Sequence, residues 1–174
     1  MSDGLDHQCG VALVRLRQNL TYYRDQYGDP GWGLRRLYLL MEKQHNRGQD
    51  GAGMAVVKYD MPPGEEYLRR VRSDRHNAIE RVFDAVMRDI LTRQSRGWAD
   101  LDDAAVKRDC KFLGELYLGH LRYATYSRHG KVNCHPYVRR HATASRSLAI
   151  AGNFNMTNST ELFNQLVECG LNPV

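Results

Sequence analysis

Four short clusters in this 174-residue chain hold the side chains able to do chemistry: Cys9-Gly10, QHNRGQDGAG from Gln44 to Gly53, GHLRYAT from Gly119 to Thr125, and AGNFNMTN from Ala151 to Asn158. Cys9 is the candidate nucleophile. A thiol of reference pKa about 8.5 needs a base beside it to react as thiolate near neutrality. If the chain is cleaved before Cys9, the new α-amino group, of reference pKa roughly 7.7–8.0, supplies that base directly or through water, and no histidine is required. The polar leader Met1–Gln8 is the segment such cleavage removes. The competing reading is a buried structural cysteine at the start of a strand, a common fate for a free thiol.

The elements that must position these clusters follow from periodicity. Gly10 to Leu16 is a short Val/Leu-rich run that reads as a buried strand. Thr21 to Gly33, rich in tyrosine, glycine and aspartate and closing on Asp29-Pro30-Gly31, reads as a loop. Leu34, Leu37, Tyr38 and Met41 have helical spacing within Leu34–Gln44. The glycines of the second cluster break that helix before a strand at Met54–Tyr59. Met61–Gly64 is a turn, and Tyr67–Val71 reads as a more exposed strand. Ile79, Val82, Phe83, Val86 and Ile90 line one face of an amphipathic helix over Asp74–Arg93, and Asp102–Leu113 is a further candidate helix. Glu115–Thr125 begins as a strand and turns polar. Ser127–Arg146 reads as loop, Ser147–Ala151 as strand, and Thr157–Gly170 as a helix with Thr157 as N-cap and Gly170 as its stop. The clusters fall at strand ends. Mixed helices and apolar strands imply layered packing, with sheets buried on both sides.

Composition narrows the classes. The chain is 42% hydrophobic and 26% charged, as expected of one globular domain. The net charge of +5 permits nucleic-acid binding. However, the arginines between Ser73 and Arg96 alternate with Asp74, Glu80, Asp84 and Asp89 and lack interleaved aromatics, which describes a solvated helix face. No apolar run approaches the roughly 20 residues of a membrane span, and the polar start is neither signal nor transit peptide. The expectation is a cytoplasmic protein that binds neither membrane nor nucleic acid. Cys9, Cys110, Cys134 and Cys169 form no CxxC pair, which fits free thiols in a reducing compartment. The adjacent Cys134-His135 has no second pair at finger spacing, so no metal site is expected.

Taken together and in order, the clusters resemble the class II glutamine amidotransferases, which are N-terminal nucleophile hydrolases. QHxRGQDxAG, HxRYxT and NxTN favour the amidophosphoribosyltransferase branch over the YRGYDSAG and RWATHG patterns of the glucosamine-phosphate branch. The resemblance covers essentially residues 9–174, with 1–8 as propeptide. It implies an α+β fold, a four-layer αββα sandwich of two sheets packed between helices. It also implies that glutamine is hydrolysed through a Cys9 thioester, and that the ammonia passes to a synthase domain that aminates phosphoribosyl pyrophosphate in purine biosynthesis. No cofactor or metal is implied for this domain, and a homo-oligomer is implied for the longer protein.

By the same resemblance Arg122 clamps the glutamine α-carboxylate, for which a guanidinium fork is suited. His120, Tyr123 and Thr125 shape the pocket, His120 as a structural histidine and not a general base. Arg47 and Gly48 form a supporting loop beside the nucleophile, one residue longer here because of Asn46. Asn153 donates its side-chain amide to the oxyanion, and the backbone N–H of Phe154 is the second donor. The pattern departs here: the family's AHNGN is AGNFN, with Gly152 for histidine and Phe154 for glycine, so the local backbone must be either relaxed or strained. The acid that grips the glutamine α-amino group, and a phosphoribosyl pyrophosphate loop, are not found before Val174. The expectation is therefore an N-terminal part of a longer protein, truncated at its C-terminus. Two alternatives stay open: an amidase of the same fold with another substrate, and a degenerate module that binds glutamine or a synthase domain without hydrolysis.

Overall fold

The computed structural model describes residues 8–94, 101–124, 130–154 and 157–171. Its centre is a four-stranded antiparallel sheet built from β1 (Gly10–Arg15), β2 (Gly51–Val57), β3 (Leu68–Ser73) and β4 (Leu116–Arg122), in the order β1-β4-β2-β3. Register pairs Gly10 with Leu121 and Val11 with His120 on one side of β4, and Gly51 with Arg122 and Gly53 with His120 on the other. A strand alternates its side chains between faces. Ala12, Ala52, Met54, Val56, Tyr117 and Leu121 therefore share one face, and His120, Arg122, Gly51 and Gly53 share the other.

Helices cover the first face. In α2 (Trp32–Glu42) Leu34, Leu37 and Met41 are buried, and in α3 (Ala78–Gln94) Val82, Phe83, Val86 and Ile90 are buried. Each such fully buried side chain stabilises by about 1.5–3 kcal/mol relative to exposure. The second face is covered on its β2–β3 side by a ribbon of β5 (Tyr137–Arg139) and β6 (Leu148–Ile150). Arg72 donates to the carbonyl oxygens of Val132 and Cys134, and Arg70 to that of Pro136, tying β3 to the segment leading into the ribbon. The observed class is α+β with antiparallel sheets.

Burial on both sides holds for β2, where six successive residues are buried. It does not hold for β1, whose Val11 and Leu13 are 43% and 61% exposed on the second face. The described ribbon packs over β2 and β3, not over this edge.

Several elements differ from their sequence reading: β5 lies within Ser127–Arg146, expected as a loop, and β2 begins at Gly51, inside the cluster expected to precede a strand at Met54. The segment expected as a loop from Thr21 contains α1 (Leu20–Tyr27). Asn19 Oδ1 accepts from Tyr22 N at 3.0 Å, Leu20 and Tyr23 are buried, and left-handed Gly28 closes the helix. α3 starts at Ala78, later than expected, because Asn77 takes a φ of 56° that a helix cannot contain. α5 (Ser159–Glu168) is preceded by Asn158, whose side chain makes no capping bond, so Thr157 is not its N-cap; Gly170, at φ 77°, does end it.

At the end of the sheet away from Cys9, α4 (Asp103–Asp109) is anchored by a buried ion network. Lys107 Nζ contacts Asp103 at 2.7 Å, Glu115 at 2.8 Å and the Tyr59 carbonyl oxygen at 2.7 Å, with only 3% of its side chain exposed. Burial alone lowers the Lys107 pKa, but the bonds from Asp103 and Glu115 outweigh it and the net shift is upward. No helix among the described residues is long and apolar enough to cross a membrane.

Candidate functional site

The start of β1 and the end of β4 are neighbours because the two strands run antiparallel with Gly10 opposite Leu121. Cys9, just outside β1, therefore lies beside the residues that follow Arg122. The Tyr123 N–H donates to Cys9 Sγ at 3.4 Å, and the thiol lies 3.8 Å from the Tyr123 carbonyl oxygen. Cys9 is partly exposed, while Arg122 is buried at the last position of β4. Gln8, exposed, is still joined to Cys9, so the Cys9 nitrogen is an amide in this form of the chain.

The GQDG turn fastens the end of β4. Asp50 N donates to the Arg122 carbonyl oxygen at 3.0 Å, and the Asp50 carboxylate accepts from Ala124 N at 2.8 Å. Asp50 thus brackets the Arg122–Ala124 backbone, a role not assigned from the sequence although it stands inside the second cluster. Gly48 is buried against this segment: a Cβ there would lie 2.7 Å from backbone atoms of Leu121 and Arg122. Arg47 sits exposed at the end of a 3-10 turn, His45–Arg47.

On the second face of β4, His120 is 1% exposed. Its Nε2 lies 3.2 Å from the Gly152 carbonyl oxygen, and its Nδ1 is buried without a partner. A carbonyl only accepts, so Nε2 carries the proton. Burial, with His135 and Arg122 nearby, pushes the His120 pKa down to about 4. His135, 4.5 Å away ring to ring, accepts from Gly152 N at Nδ1, at 3.4 Å. Its pKa is lowered by burial and by Arg122 and Arg72, against an opposing bond with the Gly152 peptide. His135 reaches this place because β2 carries glycine opposite it. A Cβ on Gly53 would meet the His135 carbonyl oxygen at 2.1 Å.

Asn153 and Phe154 are exposed, Phe154 by 51%. Phe154 is not left-handed: among the described residues only Asp60 and Asn77 combine a side chain with positive φ. The backbone of residues 151–154 thus avoids the left-handed region, and phenylalanine adds no strain there. The ring of Phe154 stacks on His135 at 5.0 Å, and a Cβ on Gly152 would lie 2.8 Å from that ring. Cys9, Arg122 and Tyr123 are therefore brought together. Asn153 follows the residue bonded to His120 and makes no hydrogen bond with the Cys9 thiol among the described residues. Thr125 and residues 1–7 of the leader lie outside the described residues.

No family model matches the chain, and no curated protein matches it. Among solved structures it is similar to glutamine phosphoribosylpyrophosphate (PRPP) amidotransferase from B. subtilis, complexed with ADP and GMP, with a TM-score of 0.51 and 24% sequence identity. The similarity covers 95% of this chain and 26% of that one, so this chain spans about a quarter of that protein's length. At that identity the likeness is one of fold.

Proposed function

We propose that this chain is a glutamine-hydrolysing domain related to those of the amidophosphoribosyltransferases, with Cys9 as nucleophile once Met1–Gln8 has been removed. The observation that carries the reading is the junction of β1 and β4, where the Cys9 thiol is hydrogen-bonded to the peptide of Tyr123 immediately beyond Arg122. Cys9 and Arg122, whose fork matches a carboxylate, thus belong to the same end of the sheet, within a fold similar to that of an amidotransferase.

In this reading Arg122 holds the α-carboxylate of glutamine, with Tyr123 and Thr125 beside it and Arg47 and Gly48 supporting the wall. The freed α-amino group takes the thiol proton, and the thiolate adds to the carboxamide carbon. The tetrahedral oxyanion is met by the Asn153 amide and the Phe154 N–H. Collapse breaks the C–N bond, the α-ammonium returns its proton to the leaving nitrogen, and ammonia departs. Water then hydrolyses the Cys9 thioester to glutamate. His120, buried and neutral, serves as scaffold. The chemistry calls for no metal or cofactor. The helices α2 and α3, the four-stranded sheet and the ribbon are read as successive layers of the αββα sandwich. In a longer, cytoplasmic and homo-oligomeric protein, the ammonia would aminate phosphoribosyl pyrophosphate on a synthase domain for purine biosynthesis.

The test compares a chain beginning at Cys9 with one that retains Gln8. Glutamate should form from glutamine only with the first, because an amide nitrogen has no basicity to offer the thiol. Equal turnover by both would overturn the reading. A non-hydrolysing module is favoured by one observation, the exposure of Asn153 and Phe154, since an oxyanion donor acts best in a water-excluded site. Binding of glutamine without turnover in the chain beginning at Cys9 would establish it.

A further inference from the structure

We propose that His120 and His135 form a two-point clamp on Gly152, and are positioning residues for the Asn153 amide and the Phe154 N–H that follow it. The proposal rests on the reading of those two groups as oxyanion donors.

The geometry is specific to one residue, whose N–H and C=O lie in two successive peptide units. His120 Nε2–H donates to the Gly152 carbonyl oxygen at 3.2 Å, while the Gly152 N–H donates to His135 Nδ1 at 3.4 Å. Both backbone polar atoms of residue 152, two residues beyond β6, are thereby fixed by side chains from other segments, and both imidazoles are held in the Nε2–H tautomer. Each histidine has a firm base. His120 stands in the middle of β4, paired with Val11 and Gly53 across the sheet. The backbone of His135 lies against Gly53 of β2, and its ring is packed between His120, Tyr137 and Phe154, with centroids 4.5, 4.5 and 5.0 Å away. The clamp is thus referenced to the same strand whose end carries Arg122 and the Tyr123 peptide that holds Cys9. Through His120 the residue before the donors is tied directly to the strand that ends beside the nucleophile.

Gly152 fits this role. A side chain there would collide with the Phe154 ring, which closes over the peptide and stacks on His135. The two departures from the family's AHNGN pattern therefore act together: the glycine makes room, and the phenylalanine ring occupies it. The unpartnered Nδ1 of His120 is consistent with a residue kept for its Nε2–H. A buried polar atom left without a bond is costly, and an apolar residue in its place would avoid that cost.

The experiment uses the chain beginning at Cys9 and four variants. His120→Phe removes the donor and His135→Phe the acceptor, each keeping a ring. His120→Gln restores a donor near Nε2 and His135→Asn an acceptor near Nδ1. Each Phe variant should lower kcat for glutamine hydrolysis between about 10- and 100-fold, as expected of a catalytic donor displaced by up to 1 Å. KM should change less than about 2-fold, and the Gln and Asn variants should recover most of the loss. In parallel, 15N NMR of the wild-type rings should show both histidines as the Nε2–H tautomer. Unchanged kcat in the Phe variants, parallel losses in kcat and KM without rescue, or an Nδ1–H tautomer at His120 would each overturn the clamp. If the wild type hydrolyses no glutamine, the functional reading fails instead. The NMR arm then decides the clamp alone: Nε2–H rings with a protected Gly152 amide sustain it, and any other tautomer removes it.

Discussion

The ring of Phe154 fills the space that a side chain at Gly152 would need, 2.8 Å from the position of its Cβ. This pairs two residues that each look anomalous alone. It predicts coupling that a double-mutant cycle can read. Gly152→Ala should destabilise by about 1–3 kcal/mol because the Cβ drives the ring off His135. Phe154→Ala should cost about 0.5–1.5 kcal/mol of aromatic contact. The double variant should be more stable than the sum implies by at least about 0.5 kcal/mol in urea unfolding. Strict additivity would show that the ring does not occupy that place.

Acid should loosen the second face of the sheet. Burial holds His120 at a pKa of about 4 against an ordinary 6.5, with His135 and Arg122 pushing the same way and the Gly152 carbonyl opposing. Above about pH 6.5 folded and unfolded chains are both neutral at this residue and its linkage is absent. As pH falls from 6.5 towards 4 only the unfolded chain takes the proton, so stability falls across that window and levels off below it. The loss from His120 alone is about 3 kcal/mol. His135, also lowered, adds in the same direction. Denaturant midpoints measured from pH 7.5 to 4 should fall less steeply in His120→Gln than in the wild type.

Lys107 should matter more to stability than any exposed lysine. It is the common partner of Asp103 and Glu115, the first partly buried and the second buried with it. Lys107→Met leaves two carboxylates without their cation and should cost about 3–5 kcal/mol by chemical denaturation. A cost under 1 kcal/mol would mean that water enters the cluster readily.

Much of the frame was legible because it is local. The buried stripes of α2 and α3 and the apolar run of β4 show directly in residue spacing, and so does the placement of the clusters at strand ends. Three things were not. α1 looks like loop because its tyrosines are weak helix formers, and its stability comes from the Asn19 cap and from packing. The glycines Gly51 and Gly53 look like breakers but lie inside β2, where the segment around Cys134 and His135 comes too close for a side chain. That contact joins residues about 80 positions apart, and no local pattern encodes it. The His120–Gly152–His135 contacts are hidden for the same reason. The cluster residues were visible, but the partners that hold them were not.

Arg122→Lys separates recognition from folding. Lysine keeps the charge but loses the planar fork, so glutamine KM should rise at least about 10-fold. The melting temperature should change by only a few degrees. In a longer protein that carries a synthase domain, ammonia-dependent synthesis should survive. Loss of both activities together would make Arg122 a folding residue.

The central claim is that Cys9 is a nucleophile addressed by glutamine. Its most direct test is the intact mass of the chain beginning at Cys9 after exposure to a glutamine analogue with an electrophilic carbon at the carboxamide position. The account predicts one adduct, mapped to Cys9 by peptide mass, slowed by excess glutamine and absent from Cys9→Ala. An unmodified chain, or labelling spread over Cys110, Cys134 and Cys169 and indifferent to glutamine, would contradict it.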